Sequence, residues 1–291
     1  MKIRAPGKIN LGLRIVGKRG DGYHLIDTIM VPVSLYDEIE ITKGRRVSGA
    51  KPRSRRLIVT CDHPNVPGGE KNIVYQAADL IMRSGKIEQL VRIHIRKRIP
   101  VGAGLGGGSS DAAATMMGLN RLFHLGYSST KLKASALLLG ADLPFFIDRR
   151  PARVRGIGER LSPIPRLPRV WVVSLYPGFP VSTAWAYGRL RLKLTKPIAN
   201  TSITRLIKEP IDLGKLLVND LEIVTLARYP RIGHLKAKLI AGGAEGALMS
   251  GSGSAVFGVF NSRNRAMRAL GQLSKEEGVQ AFLVRILNCS Q

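Results

Sequence analysis

Acidic residues are few in this chain. Twenty Asp and Glu stand against 46 Lys and Arg, a formal charge of +26 over 291 residues. Aromatics are also sparse, at 5%. The core must therefore be built mainly from aliphatic side chains, which is feasible with 44% hydrophobic residues. Only two cysteines occur, Cys61 and Cys289, far apart and without metal-ligand spacing, which excludes a disulfide framework and a cysteine zinc site. No apolar run reaches the roughly 18 residues of a membrane-spanning helix. The opening MKIRAPGKINLGLRI has no signal-peptide apolar core and alternates like a strand. The expectation is a cytoplasmic protein with no membrane partner.

A large positive charge attracts polyanions, so nucleic-acid binding is a rival reading. The densest basic runs are 43–56 (KGRRVSGAKPRSRR) and 92–98 (RIHIRKR). The first contains Gly, Pro and Ser and reads as a solvated loop without a derivable role. The second alternates Arg92, His94, Arg96 and Arg98 with Val91, Ile93 and Ile95, as in a strand with one wet basic face. Neither is interleaved with aromatics for base stacking. Nucleic acid is therefore disfavoured as a partner, and a phosphorylated small molecule is preferred.

Alternation predicts strands over 2–16, over 23–42 as one or two segments, and over 57–61 and 90–96. Helical spacing covers 72–85, where Val74, Ala77, Ala78 and Ile81 recur at i, i+3, i+4, i+7. Further helices are expected over 111–123 and 128–140, the latter with Ser129 as a cap and Gly140 as a stop. A prolyl cluster at 148–170 suggests a boundary. Beyond it lie strand candidates at 171–178, 246–260 and 281–287, helical segments near 213–228 and 263–274, and a low-pattern basic loop at 189–210. Strands first and helices later indicate an α+β fold. Two domains are expected, 1–160 and 161–291.

The chemistry centres on one run between a strand and a helix: Pro100, Val101, Gly102, Ala103, Gly104, Leu105, Gly106, Gly107, Gly108, Ser109 and Ser110. Glycines let successive backbone N–H groups converge on phosphate oxygens, and the following helix adds its positive end. Strand and helix flanks argue against a linker. The G-x-x-x-x-G-K-[ST] pattern is absent, which excludes a Walker loop. Residues 102–107 do read G-x-G-x-x-G, but no acidic partner for a ribose stands about 20 residues on.

The run PVGAGLGGGSSDAA at 100–113 resembles the phosphate loop of the GHMP kinases, the galactose, homoserine, mevalonate and phosphomevalonate kinases. APGKINL at 5–11, GKRGDGYH at 17–24, GADLPFF at 140–146 and NDLE at 219–222 resemble one branch, the 4-diphosphocytidyl-2-C-methyl-D-erythritol kinases of the non-mevalonate isoprenoid route. LMSGSGSAVF at 248–257 is similar to the superfamily's third glycine motif. Position 7 is Gly where that branch usually carries Ala. The resemblance implies a two-domain α+β fold, N-terminally like domain 2 of ribosomal protein S5 and C-terminally ferredoxin-like. It also implies ATP and Mg²⁺ as cofactors.

By the same resemblance the catalytic residues are Asp142, as base or orienting group, and Lys8. Asp142 lies in an apolar stretch where an unpartnered carboxylate is costly. Lys8 sits in a strand-like segment. The cytidine diphosphate-linked methylerythritol would be held by Asn10, Tyr23, His24, Phe146, Thr183 and Tyr187, with Gly251 and Ser252 closing over it. Ser110 and Asp111 are candidate metal ligands. The residues read without the resemblance leave core packing open for Phe146, a surface role for Lys8 and a local backbone cap for Asp142. Homoserine or mevalonate kinase activity is the near alternative, disfavoured by the GYH element.

Overall fold

The computed structural model describes residues 1–46, 56–164, 167–190 and 217–288. The basic loop 43–56, the segment 189–210 and the start of the helix expected near 213 fall largely outside them, as does Cys289. No helix among the described residues is long and apolar enough to cross a membrane.

The chain forms two compact units, neither contiguous in sequence. One comprises 1–7, 35–101 and 106–149; the other comprises 8–34, 102–105 and 150–291. The discontinuity arises from two long strands, β1 (Lys2–Lys18) and β2 (His24–Arg46), each contributing one stretch to each unit.

In the first unit, β4 (Gln89–Arg96) lies between β3 (Leu57–Cys61), parallel, and the end of β2, antiparallel. The register sets Glu38 opposite Arg96 and Glu40 opposite His94. Arg96 reaches both glutamates at 3.8 Å. The basic face read from the sequence is thus partly matched by acids on the neighbouring strand. Helices α1 (Ile73–Ser84) and α2 (Gly107–Leu122) pack together. α1 buries Val74, Ala77, Ala78 and Ile81, the predicted stripe, and Asn72 caps it by accepting from the Val74 N–H at 2.8 Å. α3 (Ser129–Leu137) ends short of Gly140, and its cap is Ser128, whose Oγ accepts from the Lys131 N–H, instead of Ser129. α4 (Leu143–Asp148), a single apolar turn and a half starting with Leu-Pro, follows.

In the second unit, β1 pairs in parallel with β8 (Val218–Asn219), while the start of β2 pairs with β5 (Ala152–Gly156), itself paired with β6 (Arg160–Pro163). The proline cluster at 148–170, a boundary by composition, thus carries two paired strands. After β7 (Trp171–Tyr176) come α5 (Thr183–Arg189), α6 (Glu222–Arg228) and α7 (Pro230–Ala241). The chain finishes with β9 (Gly246–Met249), β10 (Val256–Phe260), α8 (Arg263–Leu273) and β11 (Gln280–Arg285). The sheet order β11-β7-β10-β9 is fully antiparallel. With α7 before β9 and α8 before β11, this is a β-α-β-β-α-β unit of ferredoxin-like topology. Its core joins Val173, Leu175, Leu235, Leu239, Val256 and Phe260, largely aliphatic as the composition requires.

Candidate active site

The glycine run is divided between the two units. In the first unit, α2 begins at Gly107, four residues before the expected start, so the Gly-Gly-Ser-Ser sequence is its opening turn. Gly106 precedes it at φ +71°, and the Ser110 N–H donates to the Gly106 carbonyl at 3.0 Å. No side chain caps this end. The N–H groups of residues 107–109 are therefore available to an anion. Gly107 packs closely: a Cβ there would lie 3.0 Å from Lys97 Nζ and 3.1 Å from Ile99 Cγ2, so a side chain would press on both.

Beneath that turn lies a buried charge cluster that sequence reasoning missed. Lys97 Nζ donates to Asp37 Oδ2 at 2.5 Å and to Asp111 Oδ2 at 2.9 Å, and all three side chains are at most 4% exposed. Asp37 Oδ1 also accepts from the N–H groups of Arg98 and Ile99. Burial, helped by Asp37, pushes the Asp111 carboxyl well above the usual range against the pull of Lys97. Burial pulls the Lys97 ammonium down, but Asp111 and Asp37 outweigh it and the net shift is upward. Among the described residues, Ser110 Oγ and Asp111 Oδ1 are buried without a hydrogen-bond partner. The only sequence clue was a lysine at the end of an alternating strand.

Asp142 lies in the same unit, half-buried, immediately before α4. It makes no capping hydrogen bond, so the local-backbone role left open by the sequence is not the one it adopts. Phe146 is fully buried and meets Phe145 edge-on at 5.2 Å; it offers no surface to a ligand. Pro100 is buried and Val101 half-buried.

In the second unit, Lys8 and Asn10 point to the same side of β1, as i, i+2 positions of a strand do. Both are buried, at 4% and 3% exposure, and Lys8 Nζ donates to Asn10 Oδ1 at 2.6 Å. The sequence alternative, an exposed lysine, is excluded. The Lys8 N–H donates to the Leu105 carbonyl at 2.9 Å, which ties this strand to the glycine run.

The loop 250–254 meets the same run. Ser250 Oγ donates to the Gly104 carbonyl at 3.0 Å, and the Ala255 N–H to the Ala103 carbonyl at 3.0 Å. Gly104, at φ +77°, admits this approach, since a Cβ there would fall 2.1 Å from the Ser250 carbonyl oxygen. The Val181 N–H bonds the Gly102 carbonyl. A Cβ on Gly251 would lie 3.2 Å from Lys8 Nζ, which places that loop beside the lysine. Ser252 and Thr183 hydroxyls are 3.0 Å apart.

The NDLE segment anchors this loop. Asn219 Nδ2 donates to the carbonyls of Met249 (2.8 Å) and Gly251 (2.7 Å). Asp220 accepts from the Ile15 N–H and from Arg14, and Glu222 from the Met249 N–H and Lys236. Three residues matched only as a motif are thus a clamp between β1 and β9.

His24 and Tyr187 rings face each other at 5.3 Å between centroids, tilted by 39°. Tyr23 is 61% exposed, presented by a turn in which its N–H bonds Asp21 Oδ1. Partial burial, with Lys18 nearby, lowers the His24 pKa from its ordinary value, so the ring is neutral at neutral pH.

The comparisons with known proteins agree with this architecture. The family model for the N terminal domain of the GHMP kinases matches residues 72–148, and that for their C terminal domain matches 204–280. The 4-diphosphocytidyl-2-C-methyl-D-erythritol kinase of Citrifermentans bemidjiense is 45% identical over 287 residues, 99% of each chain. That of Syntrophotalea carbinolica is 46% identical over 98% of each. A solved 4-(cytidine 5'-diphospho)-2C-methyl-D-erythritol kinase superposes with a TM-score of 0.79 at 35% identity, covering 98% of this chain and 99% of the other. Homoserine kinase from Cytophaga hutchinsonii, at 18% identity and TM-score 0.76, shares the fold over 100% of this chain and 95% of its own. With relatives 45–46% identical over 98–99% of its length, the chain belongs to the GHMP kinases, within them to the 4-diphosphocytidyl-2-C-methyl-D-erythritol kinases.

Proposed function

We propose that this ATP-dependent small-molecule kinase phosphorylates the 2-hydroxyl of 4-diphosphocytidyl-2-C-methyl-D-erythritol. The observation that carries the chemistry is Lys8, an ammonium only 4% exposed inside a strand. A buried charge must be hydrogen-bonded or paired, as Lys8 is by Asn10 Oδ1, and an ammonium so held is suited to stabilise charge developing on a reacting oxygen. The relatives' names supply the substrate.

In this reading the β- and γ-phosphates of ATP rest on the uncapped N–H groups of residues 107–109, where the helix end favours negative charge. The substrate hydroxyl oxygen attacks the γ-phosphorus as the bond to the bridging oxygen of the departing ADP breaks. Its proton passes to the Asp142 carboxylate. Lys8 stabilises the charge on the attacking oxygen, and Asn10 fixes the methylerythritol portion. The cytosine stacks against Tyr187 and is bonded by His24, whose neutral ring can both donate and accept. Tyr23 and Thr183 border the pyrimidine, and Gly251 and Ser252 cover the substrate. Phe146, without exposed surface, supports the site only through packing. We place the domain boundary of the family fold near residue 160.

Ser110 Oγ and Asp111 Oδ1 are two adjacent hard oxygen donors lacking a partner, and they fit Mg²⁺, which takes few protein ligands and completes its shell with phosphate and water. When bound, the ion would neutralise charge on the β- and γ-phosphates.

The test is ATP turnover, followed by ADP release, with the cytidine diphosphate compound, mevalonate and homoserine offered separately. Phosphorylation of the cytidine compound alone is expected. Turnover of mevalonate or homoserine instead would sink the substrate assignment.

A further inference from the structure

We propose that Thr28 is a positioning residue for Lys8. Its hydroxyl decides which end of the Asn10 amide faces the lysine, and so turns an acceptor toward the ammonium. The inference rests on the assignment of Lys8 to the transfer step.

Three consecutive hydrogen bonds carry it. Lys8 Nζ donates to Asn10 Oδ1 at 2.6 Å, Asn10 Nδ2 donates to Thr28 Oγ1 at 2.8 Å, and Thr28 Oγ1 donates to the Gly12 carbonyl at 2.6 Å. Their direction follows from what each group can do. An ammonium has no lone pair, so it can only donate. A backbone carbonyl has no proton, so the Thr28 hydroxyl must spend its single hydrogen on Gly12 and present a lone pair to Asn10. That lone pair selects the NH2 end of the amide, and the carbonyl end is left facing Lys8. The reversed amide would set NH2 against NH3⁺ and leave the threonine lone pair facing an oxygen.

The surroundings keep this relay rigid. Thr28 is 0% exposed, and its β-branched side chain has few rotamers. Its backbone pairs with Val154 of β5, and the preceding Asp27 is gripped by Arg153 through two bonds of 2.8 and 2.6 Å. Thr28 itself is too deeply enclosed to touch a ligand, so any influence on the reaction passes through Asn10 and Lys8. A purely structural threonine would make a different prediction: valine, of equal shape and good strand propensity, would alter stability without a specific loss of turnover.

The experiment measures kcat, the KM for ATP and the melting temperature for Thr28→Val, Thr28→Ser and Thr28→Cys, for Lys8→Met, and for Thr28→Val combined with Lys8→Met. Thr28→Val is expected to lower kcat by about 10²-fold, the scale of a catalytic group displaced by about 1 Å, with the KM for ATP unchanged. Serine restores the hydroxyl and stays close to the parent. Cysteine, a weak acceptor, falls between serine and valine, and it carries the test if the valine variant does not fold. In the Lys8→Met background the valine substitution changes nothing further, because the group it positions is gone. Parent-like kcat in every folded Thr28 variant, or the same loss with and without Lys8, would overturn the relay. A parent-like rate in Lys8→Met alone removes the catalytic assignment of Lys8 and the relay with it, an outcome read from that single variant.

Discussion

Lys97 and Asp111 form an ion pair of 2.9 Å with side chains only 4% and 3% exposed, at the point where β4 hands over to the glycine run and α2 begins. Asp37 closes the cluster from β2. Removing the lysine would leave two buried carboxylates facing each other. Lys97→Met is therefore expected to cost about 3–5 kcal/mol of folding stability, the usual penalty for stranding a buried charge. Urea unfolding of parent and variant measures this. A loss no larger than that of an exposed pair would show that water reaches the cluster.

Asp142 lies before α4 without a capping bond. If it accepts the substrate proton, Asp142→Asn should lower kcat by roughly 10²- to 10⁴-fold while ATP binding stays close to the parent. Single-turnover kinetics with equilibrium ATP titration separates the two quantities. Near-normal kcat would assign the base elsewhere.

Tyr187 and His24 face each other at 5.3 Å. Tyr187→Ala should weaken cytidine-substrate binding by about 1–3 kcal/mol, the range for one stacked base, and leave ATP affinity unchanged. The opposite pattern would move the residue to the nucleotide side of the reaction.

His24 titrates below its ordinary value of 6.5, first because of burial and second because of Lys18. Between the native midpoint and 6.5 the unfolded chain holds the proton and the native one does not. The contribution of His24 to stability is therefore fully present above 6.5 and lost as pH falls through the native midpoint. NMR titration should give a midpoint below 6.5. Lys18→Gln should raise it only in part, since burial remains.

Asn219 holds two carbonyls of the strand and loop that carry Gly251. Asn219→Ala leaves both without their donor and should destabilise the protein by about 1–3 kcal/mol. It should also raise the amide exchange rate of residues 250–254, which hydrogen-exchange mass spectrometry reads directly.

Local pattern accounts for most elements. The α1 stripe and the alternation of β4 follow from periodicity, because one face of each is buried; β1 is buried on both faces over residues 5–13, and its strand character follows from the run itself. Other elements escaped it for identifiable reasons. α5 is seven residues long, too short for a helical period. α7 opens with Pro230, which reads as a breaker although it suits a first turn. β5 and β6 lie in a proline-rich stretch, and β2 continues as one strand where the sequence allowed two.

The linear sequence by itself determined the superfamily and the phosphate loop, because a glycine-rich run between strand and helix has a local physical meaning. Through its motifs it also nominated Lys8, Asp142 and the His24–Tyr187 region. Only the tertiary structure decided how those residues are held. The Lys8–Asn10–Thr28 relay joins positions up to 20 residues apart, the Asn219 clamp spans about 30, and the Lys97 cluster joins Asp37 to Asp111. Hydrogen-bond direction and burial are properties of groups brought together by folding, and no spacing along the chain encodes them.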